Sequence, residues 1–195
     1  FTEVMYLLLQ GELPTQEQFG QFQKNINNYN YVAEEMKKII DAFPRSAHPM
    51  GVLSTLTSAL TAFNPKAVNV KSKEDLDHAA EMLIAKFSHL CAWTYRKTLG
   101  LPINHGDNSL NYVENFYKMT FRLPNQEFEL DPVVVDALDK ILILHADHEQ
   151  NCSTSTVRMV GSAQTGLFAS ISAGVSALWG PLHGGANQAV IEMLE

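Results

Sequence analysis

Apolar residues recur along this chain at intervals of three and four positions, which is the spacing of an amphipathic helix. Val4, Leu7 and Leu8 form one such face near the start, and Val134 and Leu138 belong to another. The alternation of apolar and polar residues that a half-buried strand requires is nearly absent. The pattern therefore predicts an all-α, multi-helical fold.

Polar residues, prolines and glycines mark where several of these helices begin and end. Thr15 and Gln18 have the spacing of a capping box, in which each side chain bonds the backbone N–H of the other residue. Asp131 followed by Pro132 fits an N-cap and a first helical position. A single long helix is expected to run from about residue 72 to Gly100.

One long uncharged stretch resembles a membrane segment at first sight. Residues 159–191 contain no Lys, Arg, Asp or Glu. Serines and a threonine interrupt the stretch, however, and Gly180-Pro181 breaks it before the roughly 20 apolar residues of a membrane span accumulate. The sequence favours a buried helix here and disfavours a membrane partner.

The composition is that of a water-soluble globular protein, with 46% hydrophobic and 18% charged residues among 195. The net charge of −7 disfavours nucleic acid as a partner, because no basic stripe is present to neutralise phosphates. No repeat or flexible linker is visible, so a single core is expected. Helical patterns that already run at Phe1 and still run near Glu195 suggest a piece of a longer polypeptide.

Two buried, reduced thiols are expected at Cys91 and Cys152.

The densest polar segment is "LHADHEQNCSTSTVR", residues 144–158. His145 and His148 are three positions apart, so a helix would place both rings on neighbouring positions of one face. The hydrogen-bonding residues that follow are costly to bury unless they are paired. They form either a functional cluster or a network that only caps helices and turns.

A second candidate is His183, in "LWGPLHGGANQA". A helix beginning near Gly185 would leave N–H groups beside the ring, and their partial positive charge opposes its protonation. A neutral imidazole can donate one N–H to an oxygen that is becoming negative. Gly184 and Gly185 would leave room for a ligand near the backbone. The other interpretation is a loop histidine without a function.

A zinc hydrolase is a further alternative, in which His145, His148 and His183 supply three ligands and leave one position open. The sequence lacks the H-E-x-x-H and C-x-x-C patterns typical of such sites. It also lacks the G-x-S-x-G nucleophile elbow and the glycine-rich nucleotide loops, so serine hydrolases and nucleotide-binding enzymes have no support.

These segments resemble the citrate synthase family, in particular its bacterial hexamer-type branch. The similarity lies in "ILHADHEQNCSTSTVRMVGS" and "SALWGPLHGGANQAV", with weaker likeness in "HPMGVLSTLTSAL" and "EVMYLLLQGELPT". It covers essentially all 195 residues. It implies that the chain is the central part of the family's large helical domain, spanning 1–195, with the small domain largely beyond it.

The resemblance also implies a reaction, the condensation of acetyl-CoA with oxaloacetate to citrate and CoA. His183 would donate to the thioester oxygen, with Ser153 orienting its ring. His148 and Asn151 would bind oxaloacetate. Leu182 and Gly184 would contact acetyl-CoA, which is a substrate, so neither a resident cofactor nor a metal is expected.

The resemblance also implies that part of the catalytic machinery lies outside these 195 residues. The family's catalytic aspartate, another histidine and the arginines for oxaloacetate come later in its sequences, so the chain alone is expected to be inactive. A homodimer or homohexamer in the cytoplasm is expected. A 2-methylcitrate synthase acting on propionyl-CoA stays open. Asn64 and Met82 stand where some NADH-inhibited members have tyrosine and arginine, which argues against that inhibition.

Overall fold

The computed structural model describes residues 1–67 and 72–195. These two ranges contain ten α-helices, one 3₁₀ turn at Pro65–Ala67 and no strand, which confirms the all-α prediction. In chain order the helices are α1 (Thr2–Gln10), α2 (Gln16–Asn28), α3 (Glu35–Ala42), α4 (Pro49–Phe63), α5 (Lys73–Leu99), α6 (Tyr112–Phe121), α7 (Pro132–Leu144), α8 (Cys152–Gly161), α9 (Leu167–Leu178) and α10 (Gly184–Leu194).

The chain forms two compact units, each assembled from two separate segments. The first unit consists of Phe1–Val32 and Ala80–His148, and the second consists of Ala33–Ala79 and Glu149–Glu195. The absence of a linker in the sequence suggested a single core instead. One of the boundaries, between Ala79 and Ala80, falls inside α5, so no linker is present at that point.

The helix ends follow the local chemistry that the sequence predicted. The Thr15 hydroxyl accepts from Gln18 N–H at 3.3 Å, and the Gln18 side chain accepts from Thr15 N–H at 2.8 Å, which completes the capping box. Asp131 accepts from Val133 N–H at 2.8 Å, with Pro132 at the first helical position. These ends form because a few neighbouring residues satisfy the first free N–H groups of each helix.

In the first unit, α1, α2 and α5 share an apolar core. Met5, Phe22, Ile26 and Ala85 are buried together, each less than one-tenth exposed. Tyr6 meets Phe22 edge to face with ring centroids 5.5 Å apart, a favoured aromatic geometry.

A buried arginine connects the ends of α5 and α6 in the same unit. Arg96 is fully buried and donates through Nη1 to the carbonyl oxygens of Thr120 and Arg122, at 3.1 and 2.8 Å. Its Nε donates to Pro102 O. Asn104 donates to Arg122 O as well, at 3.0 Å. The last carbonyls of α6, which have no partner within their own helix, are satisfied in this way.

The second unit is organised around α9, which packs against both α4 and α8. Small side chains allow the close approach to α4. The Ser54 hydroxyl lies 2.6 Å from the Ser176 hydroxyl and donates to Ser172 O at 3.0 Å. A Cβ atom at Gly51 would lie only 3.2 Å from the Trp179 ring, so glycine makes room for this indole.

The uncharged stretch 159–191 is three helical segments rather than one buried helix. Of these segments only α9 has buried residues, among them Phe168 and Val175, whereas α8 and α10 have none. Across the described part of the chain, every helix is too short or too polar to traverse a lipid bilayer.

Both cysteines are free, as expected, but the prediction that both are buried is wrong. Cys91 is partly buried and Cys152 is exposed. The reason is the position of Cys152 at the start of α8, a helix without any buried residue.

Candidate functional site

The start of α8 is held by Asn151, two residues before Ser153. Asn151 adopts an extended backbone conformation, and its side-chain oxygen accepts from Thr154 N–H at 3.0 Å. This N-cap satisfies one of the free N–H groups of the helix and orients its first turn. The position of Ser153 therefore depends on a polar contact made within four residues.

Ser153 joins three elements of the second unit. Its hydroxyl oxygen lies 2.7 Å from Nε2 of His183, at the start of α10. The same oxygen lies 3.0 Å from the backbone oxygen of Gly174 in the middle of α9. The structure thus makes the Ser153–His183 contact that the family resemblance implies.

The Ser153 hydroxyl has one hydrogen, so it can donate to only one of its two partners, Gly174 O or His183 Nε2, at a time. Gly174 O can only accept, so a hydroxyl that donates to it must accept from His183 Nε2–H. A neutral ring then has no hydrogen on Nδ1. When the hydroxyl instead donates to Nε2, the neutral ring carries its hydrogen on Nδ1. Rotation of one hydroxyl therefore selects which ring nitrogen of His183 is a donor.

Helices α8 and α9 approach closely at Gly174. A Cβ atom there would lie 2.6 Å from Cγ2 of Val157 and 3.6 Å from Ser153 O. The first distance is far below a normal contact between carbon atoms. Glycine is the only residue that fits here without a shift of Val157 or its helix, and the small residues around it in "ASISAGVSAL" are the sequence signal for such packing. No motif in the sequence had pointed to this residue.

The backbone around His183 is held by one carbonyl group. His183 N–H and Gly185 N–H donate to Gly180 O, at 3.0 and 3.2 Å, and Ala186 N–H donates to His183 O at 3.1 Å. His183 is the N-cap residue of α10, but its side chain does not cap the helix. The ring makes no capping bond, and its Nε2 lies against Ser153.

The two glycines after His183 have a packing role. A Cβ atom at Gly184 would lie 2.3 Å from the backbone oxygen of Leu178, and one at Gly185 would lie 3.3 Å from Gly180 O. The sequence predicted that these glycines leave space for a ligand. In the structure, the space around Gly184 is filled by the end of α9.

The remaining residue predicted to contact acetyl-CoA is Leu182, which is 99% exposed. A large apolar side chain in this state makes almost no contact within the described structure. A mainly apolar groove of about 360 Å³ lies nearby in the same unit, with Ser153, Val157, Ile171 and Leu178 in its walls. Two apolar surfaces are therefore open close to the Ser153–His183 pair.

His145 and His148 belong to the first unit and lie side by side, but not on a helix. Helix α7 ends at Leu144, so the prediction that one helix carries both rings is wrong. His145 instead folds back on the helix end, where its Nδ1–H donates to Ile141 O at 2.8 Å. The two rings meet edge to face with centroids 5.9 Å apart. His148 is the last residue of its unit before the second unit resumes.

The zinc hydrolase alternative requires a metal site, and the described residues do not form one. Among residues 1–67 and 72–195, no group of three His, Cys, Asp or Glu side chains could hold a metal ion. His145 also uses Nδ1–H for the contact to Ile141 O, which leaves only Nε2 of that ring as a ligand atom.

A model of the family described as "Citrate synthase, C-terminal domain" matches residues 1–195, which is the whole chain. The chain belongs to the citrate synthase family. Citrate synthase 1 from Mycobacterium tuberculosis is 51% identical over 195 residues, which are 100% of this chain and 45% of that protein. Citrate synthase from Corynebacterium glutamicum is 50% identical with the same coverage. The chain thus spans less than half the length of these citrate synthases.

Solved citrate synthase structures share the fold. The enzyme from Pyrobaculum aerophilum is 32% identical with a TM-score of 0.86, over 98% of this chain and 48% of that one. Citrate synthase from the archaeon Thermoplasma acidophilum is 26% identical with a TM-score of 0.88 and the same coverage. That second structure is a ternary complex with carboxymethyl coenzyme A and oxaloacetate.

Proposed function

We propose that this chain is part of a citrate synthase that joins acetyl-CoA to oxaloacetate and releases CoA. In this proposal, His183 places a hydrogen-bond donor on the thioester oxygen. The observation that carries it is the 2.7 Å contact between the Ser153 hydroxyl and His183 Nε2, made by a ring that does not cap its own helix.

The chemistry requires a donor at this point. When the methyl carbon of acetyl-CoA loses a proton, negative charge moves onto the thioester oxygen. A donor already in place stabilises that charge, and removal of one such donor typically costs roughly 3–4 kcal/mol. The proposed form of His183 is the neutral imidazole, which can donate one N–H to this oxygen.

The Ser153 hydroxyl selects the useful tautomer. His183 donates to a ligand through Nδ1–H only if Ser153 donates to Nε2, because Nε2–H is otherwise directed at Ser153. Substrate binding would therefore turn the Ser153 hydroxyl away from Gly174 O. We propose that Ser153 acts on the reaction through the His183 ring.

Oxaloacetate is proposed to bind near the segment that leads into α8. His148 would donate to one of its oxygens, and the side-chain amide of Asn151 would donate through Nδ2, since only its oxygen is used by Thr154. Leu182 and Gly184 are proposed to lie against acetyl-CoA. In keeping with the family resemblance, the base that removes the methyl proton lies outside these residues.

The test replaces His183 by Ala in a polypeptide of the relatives' length that contains this sequence. Citrate formation should fall at least tenfold in kcat, with the KM for oxaloacetate little changed. The matched control is His78→Ala, which removes an exposed histidine of the second unit and should keep parental kcat. A decrease smaller than tenfold (about 1.4 kcal/mol) would contradict the donor role.

Two further measurements define the substrate and the active unit. Turnover of acetyl-CoA should exceed that of propionyl-CoA, and a preference for propionyl-CoA would indicate a 2-methylcitrate synthase. The 195-residue chain alone should form no citrate, and detectable turnover by it would overturn the assignment of the base to another segment.

A homodimer or homohexamer is proposed for the longer polypeptide, and sedimentation would measure it.

A further inference from the structure

We propose that Gly174 is a positioning residue for the Ser153–His183 pair, because it has no side chain to collide with Val157. Neither residue needs to contact substrate. The inference rests on the proposed function, because it concerns how the donor of that function is held in place. Two independent contacts carry it, one polar and one apolar.

The polar contact is the hydrogen bond from the Ser153 hydroxyl to Gly174 O, at 3.0 Å. Before substrate binds, this bond helps to set the distance between the first turn of α8 and the middle of α9. When the hydroxyl turns towards His183, the close packing of α8 on α9 at Gly174 keeps that distance. The Ser153 oxygen is thereby held 2.7 Å from His183 Nε2. Gly174 is buried, so water does not replace this backbone oxygen as a partner.

The apolar contact explains why residue 174 must be glycine. A Cβ atom there would lie 2.6 Å from Val157 Cγ2, whereas carbon atoms normally pack about 3.5–4.0 Å apart. Val157 cannot turn aside easily, because a β-branched side chain in a helix has one strongly preferred χ1 rotamer. An alanine at 174 would therefore push α8 away from α9 by roughly 1 Å.

Ser153 would move with Val157. The two residues are four positions apart on α8 and so lie one above the other on the same helix face. An outward shift of that face lengthens both bonds of the Ser153 hydroxyl. A contact of about 3.6 Å no longer counts as a hydrogen bond, and a misplacement of about 1 Å can cost about a hundredfold in rate.

The experiment compares three variants in the longer polypeptide: Gly174→Ala, Val157→Ala and the two combined. Gly174→Ala should lower kcat for citrate formation by about 10- to 100-fold, with the KM for oxaloacetate within about twofold of the parent. Val157→Ala should stay within about threefold of the parental kcat. The double variant should regain that level, because truncating Val157 removes the atom that collides with the new methyl group.

The matched control is Gly161→Ala at the end of α8, where a Cβ atom would have its nearest neighbour at an ordinary 3.8 Å. It should keep parental kcat. All rates are expressed per folded molecule, measured by circular dichroism. Where Gly174→Ala does not fold, the double variant decides: a folded double variant with parental kcat supports the proposal.

The ¹⁵N resonances of the His183 ring give a readout that does not depend on turnover. They should shift in Gly174→Ala and return in the double variant. A folded Gly174→Ala with parental kcat and unshifted resonances would overturn the proposal, as would a double variant as slow as the single one. If the parent forms no citrate, the proposed function fails, and the resonances alone decide whether Gly174 positions the pair.

Discussion

Ser153 and His183 are separated by 30 positions in the chain, yet Oγ of the first lies 2.7 Å from Nε2 of the second. Nothing local brings them together. Ser153 is placed by the N-cap of α8 and by the close contact of α8 with α9. His183 is placed by the turn around Gly180 that connects α9 to α10. The contact between Ser153 and His183 therefore forms only if the second unit is correctly packed.

Replacing Ser153 by Ala should lower kcat for citrate formation about tenfold, since one hydrogen bond to the His183 ring is lost. The control is Ser155→Ala, an exposed serine of the same helix, which should have parental kcat. Steady-state kinetics of the longer polypeptide provide the measurement.

A double-mutant cycle separates this role from a general loss of stability. If Ser153 acts only through His183, the variant with both residues changed to Ala should be no slower than His183→Ala alone. If the two single decreases in kcat multiply in the double variant, Ser153 acts independently of the His183 ring.

Asn151 allows capping and substrate binding to be distinguished. Asn151→Ala should lower the free energy of unfolding by about 1 kcal/mol, because the N-cap of α8 is lost. Asn151→Asp keeps an oxygen for Thr154 N–H and should preserve stability. It should nevertheless raise the KM for oxaloacetate at least tenfold, because a carboxylate repels a dicarboxylate substrate.

The matched control is Asn111→Asp at the N-cap of α6. Its side chain accepts from Glu114 N–H at 3.0 Å, the same cap geometry in the first unit. The KM for oxaloacetate should not change there. An equal KM in Asn151→Asp and the parent would restrict Asn151 to capping.

The features that the sequence predicted correctly are those that depend on a few neighbouring residues. The caps at Thr15 and Asp131 and the long helix ending before Gly100 are of this kind. The helix predicted to carry His145 and His148 ends at Leu144, one residue before His145 and four before His148, and the His145 side chain bonds back to Ile141 O.

The candidate site could be predicted only in part for the same reason. His183 stood out by its glycine neighbours, but its contact with Ser153 was implied by the family resemblance and not by spacing. Gly174 was missed, since its role depends on Val157 of another helix. The packing of Gly184 against Leu178 O likewise requires the fold to be known.

Arg96 should be among the most destabilising positions to change in the first unit. Arg96→Met removes the donors to Pro102 O and Thr120 O and one of the donors to Arg122 O inside the protein. Buried acceptors without partners cost about 1–3 kcal/mol each, so a loss of about 3 kcal/mol is expected. Urea unfolding monitored by circular dichroism measures it.

The control for Arg96 is Lys73→Met on the same helix. The Lys73 side chain is 72% exposed, and its ammonium nitrogen lies 3.7 Å from Asp77, a surface ion pair that contributes little to stability. Its loss should change the free energy of unfolding by less than about 0.5 kcal/mol. A comparable loss in both variants would mean that the carbonyl contacts of Arg96 are not what stabilises the unit.

His89 should make the stability of the first unit depend on pH. It is 1% exposed, and its Nδ1–H donates to Ala85 O at 3.1 Å, while Nε2 has no partner among the described residues. Burial lowers the pKa of His89 from its ordinary value of about 6.5 to about 4, with smaller contributions from Lys86 and His105. The folded state therefore holds this ring neutral.

Between these two values the unfolded chain binds more protons than the folded one. The stability that depends on a neutral His89 is fully present above about pH 6.5 and is lost as the pH falls towards 4. The slope from this one group is at most about 1.4 kcal/mol per pH unit. The variant His89→Asn keeps an amide donor for Ala85 O but does not titrate, so its unfolding free energy should fall less steeply over this range. The control is His78→Asn, on the same helix but exposed, whose unfolding free energy should vary with pH as in the parent. If His89→Asn has the same pH dependence as the parent, other groups cause the acid sensitivity.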